Sequence, residues 1–173
     1  GGMTMTRLFC SITIITVSLI FCAYQQSFAE CSAHKEPVVI KSVDGKFDDV
    51  WEDLKRSLED RGLVISNVSY IGEMLERTGK DIERTKKIFG NARSMEFCSS
   101  GLSRDMFEKN PHFITFCPYQ ITVYALPDDE KKIYLSYRRP IWNDKSGKDV
   151  LNPVERLLGD IINDVIRIQK EYH

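Results

Sequence analysis

The sequence lacks the short cysteine motifs that mark the commonest sulfur chemistry. It contains no Cys-x-x-Cys pair, no Cys-x-x-Cys-His and no paired spacing typical of a zinc site. A thioredoxin-type redox motif, a covalently attached c-type haem and a conventional zinc site are therefore excluded. Internal repeats and low-complexity segments are also absent.

Groups suited to general catalysis are scarce as well. No glycine-rich phosphate loop exists, because Gly90 and Gly101 stand alone. His112 is the one histidine that lies well inside the chain, so no Ser-His-Asp arrangement can be recognised. The acidic pairs Asp48-Asp49 and Asp128-Asp129 are interpreted as a helix N-terminus and a turn, not as a general acid and base. These absences favour a binding protein over an enzyme.

An excess of charge of either sign is missing too. The chain has 24 Lys and Arg against 25 Asp and Glu. Without the leader described next, which removes only Arg7, the formal balance is 23 − 25 = −2. The basic clusters 84–87 and 138–139 lie among enough acids to be solvated surface. We therefore expect no nucleic-acid partner and no attraction to anionic lipid.

The N-terminal region has the pattern of an export signal. After Gly1-Gly2, interpreted as a cloning remnant, Arg7 precedes an apolar run of about 16 residues, positions 8–23. That run is shorter than the roughly 20 residues that span a bilayer. The small residues Ser27 and Ala29 occupy positions −3 and −1 relative to a cleavage site after Ala29, which is the pattern that signal peptidase requires.

This leader predicts the organisation of the chain and its location. Residues 1–29 are predicted as a signal peptide, 30–37 as a flexible mature N-terminus and 38–173 as one α+β domain in the periplasm. An uncleaved leader would be the only membrane anchor. Lipid attachment at Cys22 is disfavoured, because Phe21 is too bulky for the small residue that normally precedes a lipidated cysteine.

Five cysteines are present, and Cys10 and Cys22 leave with the signal peptide. In an oxidising compartment the remaining thiols tend to pair. Cys98 and Cys117 lie 19 positions apart, on neighbouring predicted strands, and could form a disulfide. Cys31 is then the odd one, either free or bridged to another molecule.

Hydrophobic periodicity alternates strands with helices along the mature chain. The pattern predicts strands at 38–43, 63–71, 93–98, 114–126 (interrupted at Pro118) and 133–137, helices at 47–58, 72–78 (closed by Gly79) and 102–109, and a loop or ragged helix at 80–90. The last two strands should form an antiparallel hairpin across the turn at 127–130.

A long amphipathic helix closes the chain. Asn152-Pro153 predicts its start, with Asn as the cap and Pro at the first position. Its broad apolar face, positions 154–168, must be covered by the sheet or by a second subunit. The order of elements predicts an α+β fold, a mostly antiparallel sheet with helices packed on one face.

Four segments resemble the family called domain of unknown function 302. They are the start of the first helix from Phe47 to Trp51, Gly62-Leu63 before a strand, Ile88-Phe89-Gly90-Asn91, and the closing hairpin from Tyr119 to Tyr137. The similarity covers about residues 38–140. It implies a compact α+β fold that often dimerises, so we expect a homodimer, and it implies no assigned activity.

One segment, 95–117, departs from that family pattern and concentrates sulfur and imidazole. Copper and haem iron accept thiolate, thioether and imidazole donors. His112, Met106, Cys98 and Cys117 are therefore candidate cofactor-binding residues, with His112 and Cys117 as candidate metal ligands. The alternatives are a Cys98–Cys117 disulfide, with Met106 in the core and His112 in a surface turn, and a redox-active thiol pair.

We therefore expect an exported small binding protein that holds haem or copper through this segment. Two alternatives from other classes stay open. One is a periplasmic thiol-disulfide or small-molecule redox enzyme. The other is a structural partner of a membrane complex that uses the apolar face of the last helix.

Overall fold

The structure is a computed structural model that describes residues 36–172. The predicted signal peptide, its cleavage site and Cys31 lie outside these residues. The strands are β1 (Val38–Asp44), β2 (Val64–Ser69), β3 (Asn91–Cys98), β4 (Tyr119–Leu126) and β5 (Asp129–Arg138). The helices are α1 (Phe47–Glu59), α2 (Ile71–Asp81), α3 (Ser100–Lys109) and α4 (Lys145–Tyr172), with a 3₁₀ helix (Pro111–Phe116) before β4.

The strands form one sheet in the order β1-β5-β4-β3-β2, and every neighbouring pair is antiparallel. The predicted hairpin is confirmed, since β4 and β5 pair directly. The first strand closes the sheet beside the last, with Val38 opposite Arg138. β1 and β2 are therefore the two edges.

Alternation along the central strands puts their buried side chains on one face, as expected for a sheet covered on that side. α1 and α4 pack together against this face, and α3 packs on α4. The predicted α+β fold, with helices on one face of an antiparallel sheet, is confirmed. The shared core includes Val50, Leu54, Leu58, Phe97, Ile121, Val123, Ile133, Leu135, Leu151, Leu158, Ile161 and Ile162.

The apolar face of α4 is therefore covered within the chain. Leu151, Ile161 and Ile162 are fully buried beneath the sheet and α1. A second subunit is not needed to shield them. None of the helices in residues 36–172 is both long and apolar enough to cross a bilayer.

The predicted start of α4 at Asn152-Pro153 is wrong, because the helix begins two turns earlier at Lys145. Asp144 is the cap, and its carboxylate accepts from the backbone N–H of Gly147 at 2.8 Å. Pro153 lies inside the helix. It gives up one backbone hydrogen bond, which the packing of the flanking turns offsets.

The predicted strand from Ile114 is wrong in its first part. Residues Pro111–Phe116 form the 3₁₀ helix, and β4 starts only after Pro118. Asn110 explains the local choice, because its side chain accepts from the backbone N–H of His112 at 3.0 Å and caps the turn. The predicted end of α2 at Gly79 is also too early, because the helix continues to Asp81. Residues 82–90 follow as an irregular segment.

Candidate functional site

The fold brings Cys98 and Cys117 together at one end of the sheet. Cys98 is the last residue of β3, and Cys117 lies between the 3₁₀ helix and β4. Because Phe97 pairs with Tyr119 across β3 and β4, the end of one strand lies beside the start of the next. The thiol of Cys117 lies close enough to Cys98 to raise its pKa. Both are half-buried free thiols here, so the disulfide stays a prediction.

The surroundings of Cys98 keep it protonated. The pKa of Cys98 is raised to about 11, chiefly by burial and also by the neighbouring Cys117 thiol, while the backbone N–H of Tyr119 acts in the opposite direction. A pKa this high leaves very little thiolate at neutral pH. Reduced Cys98 is therefore a poor nucleophile, unlike the activated cysteines of thiol-disulfide enzymes.

A hydroxyl pair extends the sulfur pair into the core. The Ser103 hydroxyl lies 3.8 Å from the sulfur of Cys117 and 3.3 Å from the hydroxyl of Tyr119. Burial raises the pKa of Tyr119 to about 12, with Ser103 acting in the opposite direction. Tyr119 is thus a neutral phenol that also packs edge-to-face on Phe97, with ring centroids 6.0 Å apart. These contacts fix the orientation of Cys117.

The other two predicted residues occupy different environments. Met106 is fully buried on α3 and belongs to the hydrophobic core. His112 is exposed on the 3₁₀ helix, where its backbone is held by Asn110. The structure therefore unites the two cysteines and leaves His112 at the surface and Met106 in the interior.

The chemistry open to this arrangement follows from its donors. Within residues 36–172, no three His, Cys, Asp or Glu side chains converge where a metal ion could be held. A metal at this end of the sheet would be held by the two sulfurs without a third ligand of these types. Loss of two protons and two electrons would instead join the sulfurs as a disulfide.

Sequence reasoning found the sulfur pair and missed the hydroxyls beside it. Ser103 is three residues before Met106 on α3, so the two share one helix face. This spacing is the signal in the sequence that could have found Ser103, because a buried Met106 predicts that Ser103 on the same helix face is buried too. Tyr119 lies in the core, where its hydroxyl meets that of Ser103.

The fold and site define a class: small α+β domains built on one antiparallel sheet with a long C-terminal helix. Residues 39–165 match the model of the family described as domain of unknown function DUF302. Because the match covers most of the chain, the protein belongs to that family.

A solved structure has the same fold. It is the crystal structure of an uncharacterized conserved DUF302 protein from Bacillus stearothermophilus, 17% identical, with a TM-score of 0.64 over 76% of this chain and 99% of that chain. At this identity the likeness concerns the fold alone. No curated protein matches the sequence.

Proposed function

We propose that this protein is an exported, non-catalytic binding protein that holds a copper(I) ion between Cys98 and Cys117. The observation that carries the proposal is the proximity of two half-buried thiols at the end of the sheet, where Phe97 pairs with Tyr119. Copper(I) is a soft cation that prefers thiolates, and two sulfurs are enough to bind it. Binding replaces both thiol protons with one positive charge, which removes the repulsion between neighbouring thiolates.

The donor set favours copper(I) over zinc and haem. Structural zinc takes four ligands, and no third side chain of the required types converges here within the described part of the chain. Axial ligation of haem by Met106 would require that side chain to leave the core, where it is fully buried. His112 is exposed and could reach an external ligand only from the surface.

The raised pKa of Cys98 disfavours this residue as the attacking thiol of a redox enzyme. Thiol-disulfide enzymes depend on a cysteine whose pKa is lowered, so that it attacks as a thiolate. The pKa of Cys98 is raised to about 11, chiefly by burial. A metal ion can displace the proton from such a thiol, because binding supplies the free energy of deprotonation.

The test is a copper(I) titration of the reduced chain without oxygen, against a colorimetric copper(I) chelator. Serine at positions 10, 22 and 31 leaves Cys98 and Cys117 as the only cysteines. We expect one copper(I) per chain, and loss of binding in Cys98→Ser and in Cys117→Ser. The oxidised protein is the internal control and should bind none.

Three results would count against the proposal. Copper(I) binding that survives both single substitutions would show that the ligands lie elsewhere. No binding by the reduced chain would reject the site. A haem absorption band in protein isolated from its own host would favour the haem alternative. Export is tested separately, by the mass of the mature chain, which should begin at Glu30.

A further inference from the structure

A second candidate site lies away from the sulfur pair, between α2 and the irregular segment 82–89 that follows it. A hollow of about 1150 Å³ that opens to solvent lies there. Its volume is slightly above the roughly 300–1,000 Å³ that is usual for small-molecule pockets. It shares no residue with the sulfur pair.

The wall of this hollow is apolar and open to solvent. Leu75 contributes from α2, and Ile82, Ile88 and Phe89 contribute from the segment. Ile82 is 65% exposed and Ile88 is 51% exposed. Large apolar side chains that cluster at a surface mark a site of interaction, whereas single exposed ones do not.

The segment is anchored at both ends, so the hollow exists before anything binds. At its start the backbone N–H of Arg84 donates to the carbonyl of Gly79 at 2.8 Å. The approach is so close that a Cβ on Gly79 would lie 2.5 Å from the carbonyl oxygen of Arg84. At its end Phe89 packs edge-to-face on Tyr124 of the sheet, with ring centroids 5.8 Å apart.

The charged side chains around the hollow are mainly basic. They are the cations Arg77, Lys80, Arg84, Lys86 and Lys87 and the acids Glu73, Glu76 and Glu83. Lys87 is partly neutralised by Glu130 at 3.3 Å. With Lys87 set aside, four cations face three acids, and this excess of one positive charge beside an apolar wall suits a molecule with an anionic head and a hydrocarbon chain.

We propose that this hollow binds a long-chain carboxylate, one free single-chain molecule at a time. The hydrocarbon chain packs on Leu75, Ile82, Ile88 and Phe89, and the carboxylate pairs with the basic rim. The occupant is a monomeric amphiphile and not a bilayer. The site is independent of copper binding, so either proposal can fail without the other.

The experiment uses the full chain and laurate as the probe, at concentrations where laurate is monomeric, with calorimetry as the readout. The test variant is the double substitution Ile82→Ser and Ile88→Ser. Ile114→Ser is the matched control, because Ile114 is 64% exposed and lies outside the hollow. All three isoleucines are exposed, so the fold should survive their replacement.

We expect one laurate per chain, at least tenfold weaker binding in the double variant and unchanged binding in Ile114→Ser. Dodecylamine, with the same chain and the opposite charge, should bind at least tenfold more weakly than laurate. Equal binding of the two probes, or an equal loss in Ile114→Ser, would overturn the assignment. So would the absence of laurate binding, or binding to phosphatidylglycerol vesicles without binding of laurate.

Discussion

A buried polar contact joins α1 to α4 within their shared apolar core. Gln169 donates from its side-chain nitrogen to the carboxylate of Asp53 at 2.7 Å. The two residues are 2% and 5% exposed. Arg56 also approaches Asp53, at 3.3 Å, but its side chain is 63% exposed and contributes little. Gln169 is therefore the principal buried donor to this carboxylate.

Replacing Gln169 with Met keeps the length of the side chain and removes the donor. A hydrogen bond to a charged group contributes about 1.5–3 kcal/mol, and a buried carboxylate left without its donor adds to the loss. Removal of the Gln169 carbonyl oxygen, which is buried without a partner, offsets part of that cost. We expect a loss of about 2 kcal/mol in the free energy of unfolding.

The assay is urea unfolding followed by circular dichroism, supported by thermal melts that should fall by roughly 4–8 °C for a domain of this size. Gln120→Met is the matched control, because no hydrogen bond of the Gln120 side chain is found in residues 36–172. Gln120→Met should lower the free energy of unfolding by much less than Gln169→Met does.

The double variant Asp53→Leu with Gln169→Met should lose less than the sum of its single substitutions, because it leaves no charge unpaired. Strict additivity, or a Gln169→Met variant as stable as the control, would refute this account of the junction.

Three further predictions concern the sulfur pair, the core and the cap of α4. Oxidation of Cys98 and Cys117 to a disulfide closes a loop of 19 positions. It should raise the free energy of unfolding by about 3 kcal/mol over that of the reduced chain. A urea midpoint that does not change when reductant is added would contradict a disulfide. Met106→Leu should cost less than about 1.5 kcal/mol and leave copper(I) binding intact, whereas loss of copper would make Met106 a ligand. Hydrogen bonds from the Gly147 backbone, Ser146 and Trp142 lower the pKa of Asp144 below its ordinary 3.8. Asp144→Ala should therefore destabilise the protein at neutral pH, and the difference in stability from the unsubstituted protein should disappear as the pH falls below that value. A difference that persists at low pH would show that the charge of the carboxylate is irrelevant.

The order of strands and helices could be predicted because each element carries its own periodicity. The last hairpin alternates apolar and polar residues, and α1 repeats its apolar residues at helical spacing. The start of α4 could not be predicted, because Asn152-Pro153 is a stronger local signal than Asp144. Asp144 prevails because it also accepts from the indole N–H of Trp142 at 2.7 Å.

The two candidate sites differ in how far the sequence predicts them. Cys98 and Cys117 could be paired in advance because Cys98 ends β3 and Cys117 comes just before β4, its antiparallel neighbour, and strand pairing brings distant residues together in a regular way. The hollow beside α2 could not be predicted. The hollow depends on how the segment 82–89 folds back over α2. That path is set by single contacts, such as Phe89 on Tyr124, which produce no periodic pattern in the sequence.

The oxidation state of the surroundings decides what the sulfur pair can do. A disulfide and a copper(I) ion use the same two sulfurs, so each excludes the other. The high pKa of Cys98 slows the reaction of the reduced thiol with oxidants, because the thiolate is the reactive form. Under the proposed function, a copper(I) ion that arrives before oxidation would take the site and block the disulfide. Copper(I) added after oxidation should find no ligand, so the order of addition alone should determine whether the metal is bound.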